Sequence, residues 1–189
     1  MSQNNLLLQL RETTAALHER IEQKNPAQAI LDHSMDQEGY IQLLLQNYSA
    51  YRPLEQEIAA FLPFFQAGKA ARLSRDLEAL SVFPEPEEYD FKIRTVAEAF
   101  GAAYVLEGSA LGGMVIAKHL TQCEQLKDLE AQHFFNGDKS SLNSWNLYKQ
   151  ELARQDFNEI QKGELLAKAR ESFLFFERSF ERKQLPAEG

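Results

Sequence analysis

The sequence predicts an all-α protein, and three observations support this prediction. Apolar residues recur at spacings of three, four and seven through most of the 189 residues, which is the period of an amphipathic helix. The composition is 44% hydrophobic and 25% charged, with nine glycines and six prolines, as in an ordinary helix-rich protein. No segment shows the alternation that indicates a strand. The length favours a single domain over residues 1–189, with a polar tail from about residue 184.

We predict seven or eight helices. The first carries an apolar stripe formed by Leu7, Leu10, Leu17 and Ile21. Pro26 then begins a short helix, "PAQAILDHSM". A long helix follows from about Asp36 to Phe61, and its internal Pro53 is expected to kink it because the proline ring clashes with the preceding turn.

The second half of the chain continues this pattern. The segment "GKAARLSRDLEAL" predicts an amphipathic helix, and the two prolines of "SVFPEPEEYDFKIR" indicate an irregular connection. Thr95 and Glu98 have the spacing of a capping box, so a helix should begin there and run to about Thr121. "FNGDKSSLNS" predicts a second loop, followed by helices near 143–159 and 163–183.

Charge and cysteine content restrict the partners and the compartment. The net charge is −8 and no lysine- and arginine-rich run occurs, so we expect no nucleic-acid partner. A single cysteine, Cys123, cannot close an intrachain disulfide, which favours a reducing compartment. The N-terminus lacks a secretory pattern, and no run of 18 apolar residues occurs, so we expect no membrane association and a cytoplasmic location.

His18 is the first candidate for a functional residue. It lies at the edge of the apolar stripe of the first helix, with Glu22 one turn later and Arg11 two turns earlier on the same face. One interpretation is a half-buried histidine in a surface row of ion pairs. The other is an iron ligand, because neutral imidazole binds iron and needs an acceptor, here Glu22, for its second nitrogen.

Glycines within a helix are the second candidate. Gly108, Gly112 and Gly113 interrupt "YVLEGSALGGMVIAKHL", and each costs about 1 kcal/mol of helix stability relative to alanine. One helix face carries three glycines, which are Gly101, Gly108 and Gly112. This spacing is explained either by close packing of two helices or by a flat ligand that approaches the helix backbone.

These residues and their order resemble the heme oxygenase family, specifically its bacterial, biliverdin-producing members. "LRETTAALHERIE" resembles the proximal helix of the family, and "EGSALGGMVI" is similar to its glycine-rich distal helix. Between and after them, "GYIQLLLQNYSAYRPLEQEI", "RLSRDLEAL", "NLYKQELARQ" and "SFLFFE" resemble further blocks of the family. The resemblance implies a single-domain, multi-helix bundle that holds heme between the proximal and distal helices.

The resemblance also implies a role for individual residues. His18 would be the proximal iron ligand and Glu22 the hydrogen-bond partner of that ligand. Arg11 and Lys149 fall where the family places basic groups near the heme propionates. The distal backbone against the porphyrin would be formed by Gly108, Gly112 and Gly113. An apolar wall of the pocket would be formed by Phe173.

The sequence departs from the animal members of the family at three positions. There, an aspartate follows the first distal glycine and organises the water network that protonates bound oxygen. This chain has Ser109 at that position, with Ala103 and Val105 where the animal enzymes have a tyrosine and an arginine. We therefore expect a different proton route, through water held by Ser109 and distal backbone carbonyls.

The implied activity is the oxidative opening of heme b (iron protoporphyrin IX), which is both cofactor and substrate, to biliverdin, carbon monoxide and ferrous iron. The reaction consumes O2 and electrons, and the sequence has no flavin or dinucleotide fingerprint. An external donor is therefore expected, such as a ferredoxin, a flavodoxin or an NAD(P)H-dependent reductase, and a phytochrome is a possible bilin acceptor. Two alternatives remain at this stage: a non-catalytic heme carrier or sensor, and a helical interaction protein that binds no heme.

Overall fold

The fold is a bundle of helices. The computed structural model describes residues 4–84, 89–130, 132–136 and 140–182, and these residues contain no strand. The helices are α1 (Asn4–Lys24), α2 (Gln28–Leu31), α3 (Gln37–Ala59), α4 (Lys69–Ala79), α5 (Val96–Gly108), α6 (Ala110–Leu120), α7 (Ser140–Ala153) and α8 (Glu159–Glu181), with a 3₁₀ turn at Glu124–Leu126. The all-α prediction is confirmed, and these eight α-helices agree with the seven or eight expected. The polar tail predicted from about residue 184 lies outside the described residues.

The helix predicted from Thr95 to about Thr121 is two helices in the structure, because the chain breaks at Ser109. Two side chains reach the carbonyl oxygen of Leu106, which in an uninterrupted helix accepts from the backbone four residues later. The Ser109 hydroxyl donates to it at 2.7 Å, and the Lys69 ammonium group donates to it as well. Side-chain donors that enter the backbone ladder bend or interrupt a helix, and here they separate α5 from α6.

Helix termini follow their capping residues. The Thr95 hydroxyl accepts from the N–H of Glu98 at 3.1 Å, as predicted, but the Glu98 carboxylate accepts from the N–H of Arg94 instead of Thr95. The last helix begins at residue 159, four residues earlier than expected. A full capping box between Asn158 and Gln161, which the sequence interpretation overlooked, fixes that start.

Two other elements differ from or extend the expectations. Helix α7 covers Ser140–Ala153, so it begins inside the predicted loop and ends well before residue 159. Helix α3 continues through Pro53, and the side chain of Asp36 accepts a hydrogen bond from Gly39 N–H at its start. Asp36 therefore caps the first turn of α3, as expected for an aspartate that precedes a run of helix formers.

Helix α8 occupies the centre of the bundle, with α5, α1 and α3 packed around it. The contact with α5 is closest at Gly101, where a Cβ atom would lie 2.2 Å from the carbonyl oxygen of Leu165. Ion pairs join α1 to α8: Glu177 meets Arg20 at 2.6 Å and Lys24 at 2.9 Å. The helix that carries His18 is thus held against the helix that carries Phe173.

Among the described residues, the segment Val96–Leu120 is apolar and long enough to cross a bilayer by length and composition alone. Half of its apolar window is buried inside the protein. The segment is also divided at Ser109, and α5 packs tightly on α8 at Gly101. The apolar character of α5 is therefore explained by its packing within the bundle.

Candidate functional site

A cavity of about 470 Å³ lies between the helices, and its walls are mostly apolar. Cavities of roughly 300–1,000 Å³ with apolar walls and a few convergent polar groups are typical of small-molecule sites. Helices α1, α3, α5, α6 and α8 all contribute to the lining, together with α4, α7 and residues 134–136. The cavity is therefore the candidate binding site.

Most of the residues predicted from the sequence meet in this cavity. Those that line it are His18, Glu22, Gly108, Ser109, Gly112, Gly113 and Phe173. Arg11 is exposed on α1, two turns from His18, and it is not part of the lining. Lys149 on α7 lies with its ammonium group 5.6 Å from the ring centre of Trp145, which does line the cavity. The binding of propionates by Arg11 and Lys149 stays a prediction.

The imidazole of His18 is oriented by two contacts. Its Nδ1 atom lies 3.5 Å from Oε1 of Glu22, and its ring meets the buried ring of Phe173 edge to face at 5.9 Å. The side chain of His18 is still 59% exposed. Because Nδ1 faces the carboxylate, Nε2 is the ring nitrogen that could hold a metal ion.

The glycines divide between the two interpretations of their spacing. Gly101 is explained by helix packing, since a side chain there would collide with the backbone of α8. At Gly108, Gly112 and Gly113, a Cβ atom would meet nothing within 4 Å, and all three line the cavity. Their missing side chains leave open space beside the backbone on the cavity side.

A cluster of polar side chains lies at the break between α5 and α6. The Ser109 hydroxyl is 2.9 Å from the phenol oxygen of Tyr51 and 3.4 Å from Nζ of Lys69. The ammonium group of Lys69 also lies 5.3 Å from the ring centre of Tyr51. Burial raises the pKa of Tyr51, so its phenol stays protonated at neutral pH.

Two carboxylates lie behind this cluster. Glu55 is buried and accepts from the N–H groups of Gly68, Lys69 and Ala70 at 2.8 to 3.1 Å, which caps the start of α4 and fixes the position of Lys69. Glu107 is buried, and burial raises its pKa. Burial also lowers the pKa of Lys69, whereas the charges of Glu107 and Glu55 act in the opposite direction.

A short loop covers one side of the cavity. Phe134, Phe135 and Asn136 line it, and buried Asp76 of α4 holds this loop in place. The Asp76 carboxylate accepts from the N–H groups of His133 and Phe134 at 2.8 and 2.9 Å. Helix α4 thus supplies both Lys69 and the carboxylate that anchors the loop.

Sequence reasoning missed Tyr51, Lys69, Glu55 and Asp76. Each belongs to a helix whose pattern was interpreted correctly, but nothing local marks them as site residues. The contact of Tyr51 with Ser109 joins positions 58 residues apart, and that of Lys69 with Ser109 joins positions 40 apart. Such contacts follow from packing of helices and leave no motif in the chain.

A model of the heme oxygenase family matches residues 4–182. Among solved structures, the chain is similar to the NO- and CO-bound heme oxygenase from Neisseria meningitidis, with a TM-score of 0.71. This superposition covers 93% of the present chain and 89% of the other at 20% sequence identity, so it indicates a common fold. No curated protein sequence matches the chain.

Proposed function

The chain belongs to the heme oxygenase family, and we propose that it opens heme oxidatively with O2 and electrons from an external donor. The products would be biliverdin, carbon monoxide and ferrous iron, and heme would be both cofactor and substrate. One observation carries the proposal: a single cavity is lined by the His18 imidazole, whose Nδ1 atom faces Glu22, and by three glycines with open space where side chains would be.

The residues of the cavity fit a porphyrin. A planar macrocycle needs a wide apolar slot, and Gly108, Gly112 and Gly113 leave the backbone accessible where any side chain would fill the space. Phe173 and Phe176 add aromatic walls from α8. A ligand for iron is present in His18, whereas no group of three or more histidine, cysteine, aspartate or glutamate residues in the described part of the chain is placed to hold a metal ion without a porphyrin.

On the proximal side, His18 would bind iron through one nitrogen. Glu22 faces Nδ1 of His18 and would accept a hydrogen bond from it, which would leave Nε2 to bind iron. The edge-to-face contact with Phe173 restricts rotation of the imidazole ring. The ion pairs between α1 and α8 keep both residues in register.

The distal side would limit the space above a bound porphyrin. When bound, heme supplies the iron that activates O2 and the meso carbon that is oxidised. Helices α5 and α6 would confine a small ligand against the ring, because their backbone approaches at the glycines. Ser109 is exposed to the cavity and would hold water or a proton donor there, in place of the aspartate of animal members.

Partners and location follow as parts of the same proposal. A ferredoxin, a flavodoxin or an NAD(P)H-dependent reductase would deliver electrons, and a phytochrome is one acceptor for the bilin. We place the reaction in the cytoplasm, where a single buried thiol, Cys123, stays reduced.

Spectroscopy with added hemin tests the proposal. The wild type should give a Soret band that saturates at one hemin per chain, and under air with a reductant this band should decay as bilin absorption appears. His18→Ala should lose or shift the Soret band, whereas His119→Ala, which removes a histidine outside the cavity, should behave like the wild type.

Two results would contradict the proposal. A hemin complex that keeps its spectrum under reduction in air with every competent donor would indicate a carrier or a sensor. The absence of any spectral change with hemin would indicate a helical interaction protein.

A further inference from the structure

We propose that Lys69 is a positioning residue at the break between α5 and α6. By donating to the Leu106 carbonyl, Lys69 frees the Ser109 hydroxyl to donate a hydrogen bond to a small ligand in the cavity. The inference rests on the proposed function, because the ligand would be one that binds heme iron. Its chemical class is a small anion or a diatomic molecule with an exposed lone pair.

The Leu106 carbonyl has two side-chain donors. Leu106 is buried, and its oxygen lies at the break between α5 and α6. It accepts from the Ser109 hydroxyl at 2.7 Å and from the Lys69 ammonium group. If Ser109 were its only side-chain donor, turning the hydroxyl toward the cavity would deprive a buried acceptor of that bond. With Lys69 in place, the carbonyl keeps a charge-assisted bond.

The Ser109 oxygen has two further polar neighbours. A hydroxyl has one hydrogen and two lone pairs. The phenol oxygen of Tyr51, which is protonated, lies 2.9 Å from the Ser109 oxygen. Nζ of Lys69 lies 3.4 Å from it, and an ammonium group can only donate hydrogen bonds. Either oxygen of the Tyr51–Ser109 pair could be the donor. While the Ser109 hydrogen is on the Leu106 carbonyl, the Tyr51 phenol donates to Ser109, so the Ser109 hydrogen is the one that can be turned toward a bound ligand.

The Ser109 side chain lies at the cavity surface. Ser109 is exposed, it lines the cavity and it separates Gly108 from Gly112, which lie where the porphyrin is proposed to sit. Lys69 is itself held in place, because Glu55 caps the first turn of α4 and Lys69 stacks over the Tyr51 ring. The hydroxyl is therefore presented to the cavity by groups that do not need to move when a ligand arrives.

Fluoride binding to the ferric hemin complex tests the proposal, since fluoride is a small, strong hydrogen-bond acceptor. Lys69→Met keeps the length of the side chain and removes its hydrogens and charge, and Ser109→Ala removes the hydroxyl. Each should weaken fluoride affinity about tenfold, the effect of losing one hydrogen bond to a charged acceptor. Because Lys69 acts through Ser109, the double variant should be no weaker than either single variant.

Three controls separate positioning from general damage. Lys69→Arg should restore most of the fluoride affinity, because it keeps a cation with several hydrogens. Lys118→Met removes an exposed lysine of α6 outside the cavity and should leave fluoride affinity unchanged. Carbon monoxide, a poor hydrogen-bond acceptor, should bind the ferrous complex of all variants alike.

The outcomes distinguish this inference from the proposed function. Unchanged fluoride affinity in hemin-loaded Lys69→Met, or additive losses in the double variant, would overturn the role of Lys69 even if the wild type forms bilin. Conversely, the predicted fluoride pattern in a protein that forms no bilin would support Lys69 and reject turnover. If Lys69→Met does not fold, equal fluoride affinity of Ser109→Ala and the wild type would still overturn the proposal, and a wild type that binds no hemin would overturn both.

Discussion

Glycine-to-alanine substitutions in α5 and α6 should change stability in opposite directions, depending on what each glycine faces. At Gly101 the added methyl group would lie 2.2 Å from the Leu165 oxygen and 3.0 Å from the Ala169 nitrogen, both backbone atoms. Overpacking costs about 1–3 kcal/mol, and the upper part of that range applies because backbone atoms cannot rotate away. The gain in helix propensity is about 1 kcal/mol, so a net loss of about 2 kcal/mol is expected for Gly101→Ala.

At Gly112 the same methyl group would meet nothing within 4 Å. Only the propensity gain remains, so Gly112→Ala should stabilise the hemin-free protein by about 1 kcal/mol. The methyl group would, however, occupy the space proposed for the porphyrin. We therefore expect hemin affinity to fall at least tenfold, which is a loss of about 1.4 kcal/mol.

Urea unfolding of the hemin-free variants measures the first effect, and thermal melting should show about 4–8 °C of loss for Gly101→Ala against about 2–4 °C of gain for Gly112→Ala. Gly163→Ala is the matched control, because Gly163 is exposed in α8 with nothing within 4 Å and lies outside the cavity. It should gain the same stability and leave hemin affinity unchanged. Equal stability changes at Gly101 and Gly112, or full hemin affinity in Gly112→Ala, would refute the reasoning.

Two further predictions concern residues that hold the cavity walls. Hydrogen bonds from Arg20 and Lys24 hold the pKa of Glu177 below its usual value, so their contribution to stability is complete above the ordinary carboxyl pKa and is lost as the pH falls through the lower folded value. Urea unfolding of the hemin-free protein should therefore show Glu177→Gln less stable than the wild type at pH 7, with a difference that disappears as the pH falls through the lowered pKa of Glu177; a constant difference would contradict this assignment. Asp76→Ala leaves the N–H groups of His133 and Phe134 without their acceptor and should cost about 2 kcal/mol in the same assay, with weaker hemin binding, whereas wild-type hemin affinity would show that the loop is held by other contacts.

The proximal half of the site was accessible from the sequence because its geometry is local. His18 and Glu22 are one turn apart on a helix, so their contact follows from the helical period alone. The glycine positions could also be found in this way, since each is a departure from good helix formers. What the glycines face could not be found, because the Gly101 contact depends on how α5 crosses α8.

The distal half depended on information that the local pattern does not contain. The break at Ser109 was missed because its causes lie partly on α4, where Lys69 donates to the Leu106 carbonyl from 37 residues away. Without that contact, the sequence from Thr95 to Thr121 has the pattern of one helix. The overlooked capping box at Asn158 was different, because both of its residues are visible in the sequence three positions apart.

The close approach of α5 to α8 has a consequence for the width of the cavity. Gly101 touches the backbone of α8 about 10 Å along α5 from Gly108, since seven residues separate them at 1.5 Å each. The ends of α5 and α8 that line the cavity lie on the same side of this crossing. A change of crossing angle at Gly101 would therefore displace Gly108 more than it displaces the contact itself, so a side chain at this position would alter the width of a cavity that Gly101 does not line.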